Sequence, residues 1–234
     1  MLQRPKQILR ESLTYLSRDH SMSLLLLFLV LTVFIIIPLT INQIFWIRLM
    51  AIFISLNFIA GILTITSSVV KRIIGVLLTA AVIIVSLSDD GSSSAMRIAE
   101  HALWIGYFLI LGVMLVRRVF ANDEVNIFRI QGAIAAYIIF GMMFSFAYML
   151  IYYLDPSSFL ISDRIDMTEF SPGYNFVYFS FVTLCTLGYG DITPLSHIAQ
   201  SASILEAMIG ILFPAILIAR LVGLADSRNN LLKS

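Results

Sequence analysis

The stretch 183–191 carries the residue types and the spacing from which a cation site can be built. It reads TLCTLGYGD, so that Gly188 and Gly190 flank one aromatic residue, Tyr189. Glycine adopts positive φ at little cost, which allows successive carbonyl groups to point the same way, whereas those of an ordinary strand alternate. A column of carbonyl oxygens with the Thr186 hydroxyl at one end is a hard-oxygen site, and it suits a weakly hydrated cation.

One copy of this stretch cannot surround an ion. Five extended residues span about 15 Å, roughly half of a hydrocarbon core of about 30 Å. The sequence contains the motif once. We therefore expect four chains to meet on a common axis, with other elements of each chain completing the path across a membrane.

Residues 186–191 resemble the signature selectivity filter of tetrameric potassium channels, and the resemblance extends over about 174–223. It implies a pore helix before the filter, an inner helix after it, and backbone carbonyls that replace the water shell of potassium. The implied potassium ligands are the carbonyl oxygens, and at the first position also the hydroxyl, of Thr186, Leu187, Gly188, Tyr189 and Gly190. Leu187 stands where the family usually has Val or Ile, but only its carbonyl is needed.

The same resemblance implies a set of residues that support the filter from behind. Asp191 commonly braces the filter in this family, and Tyr178 is the nearest aromatic partner for it here. The pore helix usually carries two Trp where Tyr178 and Phe179 stand. Thr183 is assigned to support because it satisfies backbone groups of the pore helix. Val182 occupies the position where some bacterial members place a buried Glu, so slow inactivation is expected to differ.

The composition is that of a membrane protein. Of the 234 residues, 59% are hydrophobic and 12% are charged, and the mean hydropathy is +0.95. Long apolar segments fall at 22–41, 49–70, 73–88, 98–116, 129–153 and 195–222. The predicted fold class is an all-α membrane protein with six transmembrane helices. A re-entrant pore helix and an extended selectivity filter lie between the fifth and sixth helices, and the assembly is a homotetramer.

Four regions follow from this pattern. Residues 1–20 are a cytoplasmic N-terminal segment with an apolar stripe, read either as an interfacial amphipathic helix or as a plain positive anchor. Residues 21–120 form a four-helix domain similar to a voltage sensor. Residues 121–224 form the pore domain, made of outer helix, pore helix, filter and inner helix. Residues 225–234 are a short cytoplasmic tail, which leaves no room for a cytoplasmic ligand-binding domain in this chain.

The positive charges predict the orientation. With the N-terminus in the cytoplasm, the inside holds all of the 15 Lys and Arg residues except Arg48, Arg97 and Arg164. Both termini are then cytoplasmic, Asp191 faces outward, and the protein is a multi-pass protein of the plasma (inner) membrane.

The fourth apolar segment lacks the arginine series of a voltage sensor. No Arg lies between Arg97 and Arg117. Moving one charge across the membrane supplies about 2.3 kcal/mol per 100 mV, and no charge is placed to move. We therefore expect weak voltage dependence or none.

The last apolar segment contains three residues of interest. Pro214 has no N–H to donate to the carbonyl of Gly210, so a bend at 210–214 is expected, either as a gate hinge or as a static kink. Glu206 is an acid at membrane depth, where charge is costly and usually functional. It either faces the ion path or hydrogen-bonds the back of the pore helix near Ser180 or Thr183, and its apolar surroundings favour the second.

These features together predict a passive, potassium-selective channel, with the TLGYG filter formed by four subunits. Potassium is then the transported ion, bound in the filter, and the partners are identical chains and membrane lipids. The near-neutral net charge of +1 gives no sign of nucleic-acid binding. Two alternatives remain: a non-selective cation channel, and a non-conducting membrane sensor that binds potassium. No pattern of nucleophile, base or phosphate loop suggests an enzyme.

Overall fold

A computed structural model describes residues 22–39, 94–120, 127–163, 165 and 172–231, together with a few positions between 73 and 85. The elements, in chain order, are α1 (22–39), α2 (Ser94–Val119), α3 (Ile127–Leu154), β1 (Phe159–Ile161), α4 (Pro172–Leu184), β2 (Ile192–Pro194) and α5 (His197–Leu231). The predicted N-terminal segment 1–20, the predicted second span 49–70 and most of the third span lie outside the described residues.

Three helices of the described part are long and apolar enough to cross a membrane. They are Ala95–Val119, Ile127–Leu154 and His197–Gly223. Each coincides with one of the last three predicted spans and extends beyond it at one end or both. The first predicted span contains a shorter apolar helix, Met22–Ile36, whose last turn winds as a π-helix at Thr32–Ile36. The described residues thus account for three candidate spans of the six predicted.

Helix α3 is the central element because the other helices pack around it. It is apolar on all sides, as expected of a helix surrounded by protein or lipid. Trp104 and Phe108 of α2 stack on Phe146 of α3, with ring centroids 5.3 and 5.7 Å apart. On α1, Ser23 donates a hydrogen bond to Gln131 at the start of α3. On its other faces α3 contacts α4 and α5.

Helix α5 differs from α3 in leaving most of its apolar surface uncovered within one chain. Its exposed large side chains include Ile204, Leu205, Met208, Ile211 and Leu212. Near its end, Arg220 donates a hydrogen bond to the carbonyl of Phe120, just beyond α2, and its guanidinium lies 4.8 Å from the Phe120 ring centroid. This contact ties α5 to the end of α2.

A small antiparallel sheet that the sequence analysis did not predict follows α3. β1 pairs with β2 in a register that places Leu160 opposite Thr193. The turn before β1, Pro156–Ser158, is capped by Asp155, whose carboxylate accepts from the backbone N–H of Ser157. Since β2 follows 186–191 directly, the sheet fixes the chain at the C-terminal end of that stretch.

Candidate cation-binding site

The stretch 186–190 emerges from the C-terminal end of α4. The resemblance predicted a helix before this stretch, and α4 lies there, at Pro172–Leu184. The backbone N–H groups of Thr186 and Leu187 donate to the carbonyls of Thr183 and Val182, at 2.9 and 2.8 Å, which closes the helix end. Thr183 thereby contributes its carbonyl to the turn, and the chain then continues to Gly190 without helix or strand.

The backbone of this stretch alternates in handedness. Thr186, Gly188 and Gly190 have φ of 58°, 61° and 77°, while Leu187 and Tyr189 between them do not have positive φ. Thr186 is the one non-glycine residue with positive φ in the part of the chain that the structure describes. Alternating left-handed residues with ordinary ones turns successive carbonyl groups toward one side, which a regular strand does not do.

The two glycines are required by conformation and not by crowding. A Cβ atom built on Gly188 or Gly190 would meet no heavy atom within 4 Å in the single chain. Both residues nevertheless hold a positive φ, which costs about 1–2 kcal/mol for a residue with a side chain. The stretch is also exposed: Leu187 and Tyr189 expose 55% and 65% of their surface. A single chain therefore presents these oxygens without enclosing them.

Asp191 fixes the C-terminal end of the stretch by three hydrogen bonds. The Tyr178 hydroxyl donates to Asp191 Oδ2 across 2.5 Å, and the backbone N–H of Ile192 donates to Oδ1 across 3.0 Å. The Asp191 carbonyl accepts from the N–H of Ser162, next to β1, across 2.9 Å. The Tyr178 ring also stacks on Tyr189, with centroids 6.3 Å apart. The predicted support residues Tyr178 and Asp191 thus lie together.

The N-terminal end of the stretch is fixed at the carbonyl of Leu184. The Tyr137 hydroxyl of α3 donates to this oxygen across 3.0 Å. From the other side Gly210 of α5 approaches so closely that a Cβ atom there would lie 2.0 Å from the same oxygen. Gly210 therefore has a packing role at this contact, in addition to the hinge role predicted for it. Pro214 lies inside α5, which runs through it as one helix, His197–Leu231.

Glu206 is fully buried between three helices. Its Oε1 lies 2.5 Å from Ser180 Oγ of α4, and its Oε2 accepts from the Tyr148 hydroxyl of α3 across 2.5 Å. Of the two interpretations offered by the sequence, this geometry corresponds to a hydrogen bond at the back of the pore helix near Ser180.

Known proteins match the part of the chain that contains this site. Residues 132–225 match a family model described as ion channel. This region, fewer than half of the 234 residues, begins within α3 and includes α4, the stretch 186–190 and most of α5. This part of the chain is similar to ion channels, and the match supports the prediction that the protein is not an enzyme.

Curated relatives include potassium channels. The chain is 35% identical to two-pore potassium channel 3 of Arabidopsis thaliana over 74 residues, 32% of this chain and 16% of that protein. It is 50% identical to two pore potassium channel c of Oryza sativa subsp. japonica over 46 residues, 20% of this chain and 10% of that one. Protein LctB of Geobacillus stearothermophilus is 38% identical over 73 residues, 31% of this chain and 49% of LctB.

The matches are partial on both sides. The chain spans less than half the length of each of these relatives. No solved structure gives a significant match.

Several residues of this site have no signal in the sequence. Tyr148 and Tyr137 lie 58 and 47 residues from their partners, on a helix whose pattern is uniformly apolar. Ser162 contributes a backbone group, which no side-chain pattern reveals. The positive φ of Thr186 also has no signal of its own, because threonine does not favour that conformation.

Proposed function

We propose that the protein is a potassium-selective channel in which four chains form one filter from residues 186–190. The observation that carries this proposal is the alternating backbone, with positive φ at Thr186, Gly188 and Gly190. It lies in an exposed segment, inside the region that matches ion channels. In this proposal the carbonyls of 186–190 and the Thr186 hydroxyl replace the water around potassium.

Two features of the single chain support assembly into a homotetramer. The oxygens of 186–190 are open to solvent in one chain, so one copy supplies one wall of a site. Helix α5 is long enough to cross a membrane, and in one chain its apolar face is uncovered along Ile204, Met208 and Ile211. Four copies around an axis would complete the site and cover part of this face, while lipid would cover the rest.

Support from behind would keep the filter open during conduction. Tyr178 and Asp191 hold the outer end, and Leu184 is held at the inner end by Tyr137. Because these contacts fix both ends, the spacing of the oxygens would not collapse when ions leave. Ions would then pass between adjacent sites along the column, driven by their gradient. The Gly210–Pro214 segment of α5 is the candidate gate.

The proposal includes the predicted setting. The protein would be multi-pass in the plasma (inner) membrane, with both termini cytoplasmic and with weak or no voltage dependence. Arg97 and Arg117 bound an α2 segment without further Arg or Lys, so the described α2 offers no row of charges to move across the field. The regions 1–20, 21–120, 121–224 and 225–234 keep their predicted assignments within this proposal.

A matched pair of glycine substitutions tests the filter. A Cβ atom built on Gly188 or on Gly106 would meet no heavy atom within 4 Å in the single chain, so the two sites are matched in space. They differ in backbone conformation, because Gly188 has φ +61° whereas Gly106 lies within helix α2. Purified tetramers of Gly188→Ala and Gly106→Ala are compared with wild type for potassium and sodium flux in liposomes. We expect Gly188→Ala to lose selective potassium flux and Gly106→Ala to retain it. Equal behaviour of the two variants would contradict the assignment of the filter.

A further inference from the structure

Glu206 is exceptional among the buried groups. It is the one acidic side chain in the buried class among the described residues, and its exposed fraction is 0%. It sits on α5 one turn before Gly210, and it faces α3 and α4 together. Its carboxyl group is therefore at the junction of the three helices that carry the site.

The charged and titratable groups around Glu206 include no cation in the described part of the chain. From α3 it meets the hydroxyl groups of Tyr148 and, farther away, Tyr137. From α4 it meets Ser180, which does not titrate. Ionised carboxylates in an apolar interior need a cation or several donors to replace their hydration. Two hydroxyl groups alone provide weak compensation for a full charge.

Counting protons in this cluster distinguishes the two forms of the carboxyl. Ser180 Oγ lies 2.5 Å from Glu206 Oε1 and 2.7 Å from the Gly141 carbonyl oxygen, yet it has one proton to donate. The Gly141 carbonyl can only accept. If Glu206 were a carboxylate, one of the two short contacts would join two acceptors. If Glu206 carries the proton on Oε1, each contact is a hydrogen bond.

We propose that Glu206 is a protonated carboxylic acid that positions the pore helix. The chain of donors runs from Glu206 Oε1–H to Ser180 Oγ, and from Ser180 O–H to the Gly141 carbonyl, while Tyr148 donates to Oε2. This assignment deepens the proposed function, on which its role in conduction rests. The neutral acid links α5 to α4 and α3. It therefore fixes α4 at Ser180, close to the end of that helix at Leu184, without a buried charge.

Infrared spectroscopy of the purified tetramer in liposomes tests the protonation state without relying on flux. At neutral pH, the C=O stretch of a carboxylic acid should be present in wild type and absent in Glu206→Gln. Glu206→Gln preserves the shape and offers an N–H donor and an oxygen acceptor in place of the acid. Absence of the band from wild type would overturn the proposal and leave the potassium channel assignment untouched.

Two serine substitutions test the donor chain. Ser180 and Ser145 both donate to the Gly141 carbonyl across 2.7 Å and are fully buried, but of these two Ser180 alone contacts Glu206. Ser180→Ala removes the acceptor of the acid proton and should shift the carboxylic band to the frequency of a less hydrogen-bonded acid. Ser145→Ala should leave the band in place. An equal shift in both variants, or a shift in neither, would overturn the assignment.

Flux measurements then test the positioning role. Glu206→Gln should keep potassium flux and selectivity within about fivefold of wild type, since one neutral hydrogen bond is exchanged for another. Glu206→Ala should lose selectivity by more than this, because Tyr148 and Ser180 both lose their hydrogen bond to Glu206. If Glu206→Gln lowers potassium flux and selectivity as much as Glu206→Ala does, in intact tetramers of both variants, the role of a neutral acid is overturned. If Glu206→Ala does not assemble, the infrared comparison of wild type with Glu206→Gln still decides the proposal.

Discussion

The Tyr178 hydroxyl donates a hydrogen bond to the Asp191 carboxylate across 2.5 Å, which connects α4 to the residue that follows the stretch 186–190. Asp191 is held on its other side by Ile192 and, through its carbonyl, by Ser162. The outer end of the candidate filter is therefore fixed by a helix on one side and by a two-stranded sheet on the other.

Tyr178→Phe should weaken the outer end of the filter while leaving the ring in contact with Tyr189. A hydrogen bond to a carboxylate contributes about 1.5–3 kcal/mol, so we expect a loss of potassium over sodium selectivity or faster decline of flux. The measurement is the flux ratio of the two ions in liposomes. Tyr174→Phe, one turn earlier on α4, is the matched control. Equal effects of the two variants would contradict the bracing role of the hydroxyl.

Ser162→Pro should loosen the filter from the side of the sheet. Proline removes the N–H that donates to the Asp191 carbonyl, a loss of about 1 kcal/mol. Ser162→Ala keeps this N–H and serves as the control at the same position. We expect reduced selectivity in the proline variant alone, measured by the same flux ratio. A proline variant identical to wild type would show that the sheet does not stabilise the filter.

Gly210→Ala should force α4 and α5 apart, because its Cβ atom would lie 2.0 Å from the Leu184 carbonyl oxygen. Overpacking costs typically about 1–3 kcal/mol, which should lower the thermal midpoint of the purified protein. The control is Gly223→Ala on the same helix, where a built Cβ meets no atom within 4 Å and alanine should be neutral or stabilising. If Gly210→Ala is as stable as Gly223→Ala, the close approach is not required.

Asp155 predicts a pH-dependent contribution at the turn before β1. Hydrogen bonds from the Ser157 hydroxyl and N–H lower the pKa of Asp155 below its ordinary value. A lowered folded-state pKa means that this stabilisation is complete above the ordinary range of Asp, about 3.9, and is lost as pH falls through the folded value. The thermal midpoint of wild type should therefore exceed that of Asp155→Ala at neutral pH and converge with it in acid.

Asp155→Asn is the control for that comparison. Asparagine caps the turn without a titratable group, so its difference from Asp155→Ala should stay constant over the same pH range. A wild-type advantage that persists at the lowest pH would contradict the capping role of the ionised Asp155.

The sequence was informative where local chemistry determines structure. Gly188 and Gly190 indicated positive φ, and both have it. The resemblance over about 174–223 predicted a helix before the filter, and α4 lies there, at Pro172–Leu184. The last three predicted spans correspond to α2, α3 and α5. These features depend on glycine, on proline and on apolar segments, whose physical effects are local.

The remaining features depend on contacts that are distant in sequence. β1 forms because β2 pairs with it, and a strand as short as Phe159–Ile161 has no pattern of its own. Gly210 indicated flexibility in the sequence, whereas its contact with Leu184 becomes visible only when α4 and α5 are packed together. The partners of Glu206 on α3 and α4 were likewise set by packing, with Ser180 foreseen and Tyr148 not.

Ion flux through the purified wild-type protein in liposomes tests the central proposal most directly. Potassium is loaded inside, sodium is the competing ion, and the tetrameric state is measured on the same sample. The proposal predicts potassium flux that excludes sodium and that disappears in Gly188→Ala but not in Gly106→Ala. Equal flux of sodium would contradict potassium selectivity and favour the non-selective cation channel. A third outcome is potassium binding without flux, both in wild type and in tetramers that carry Pro214→Ala in the candidate gate. This outcome would contradict conduction and favour the sensor.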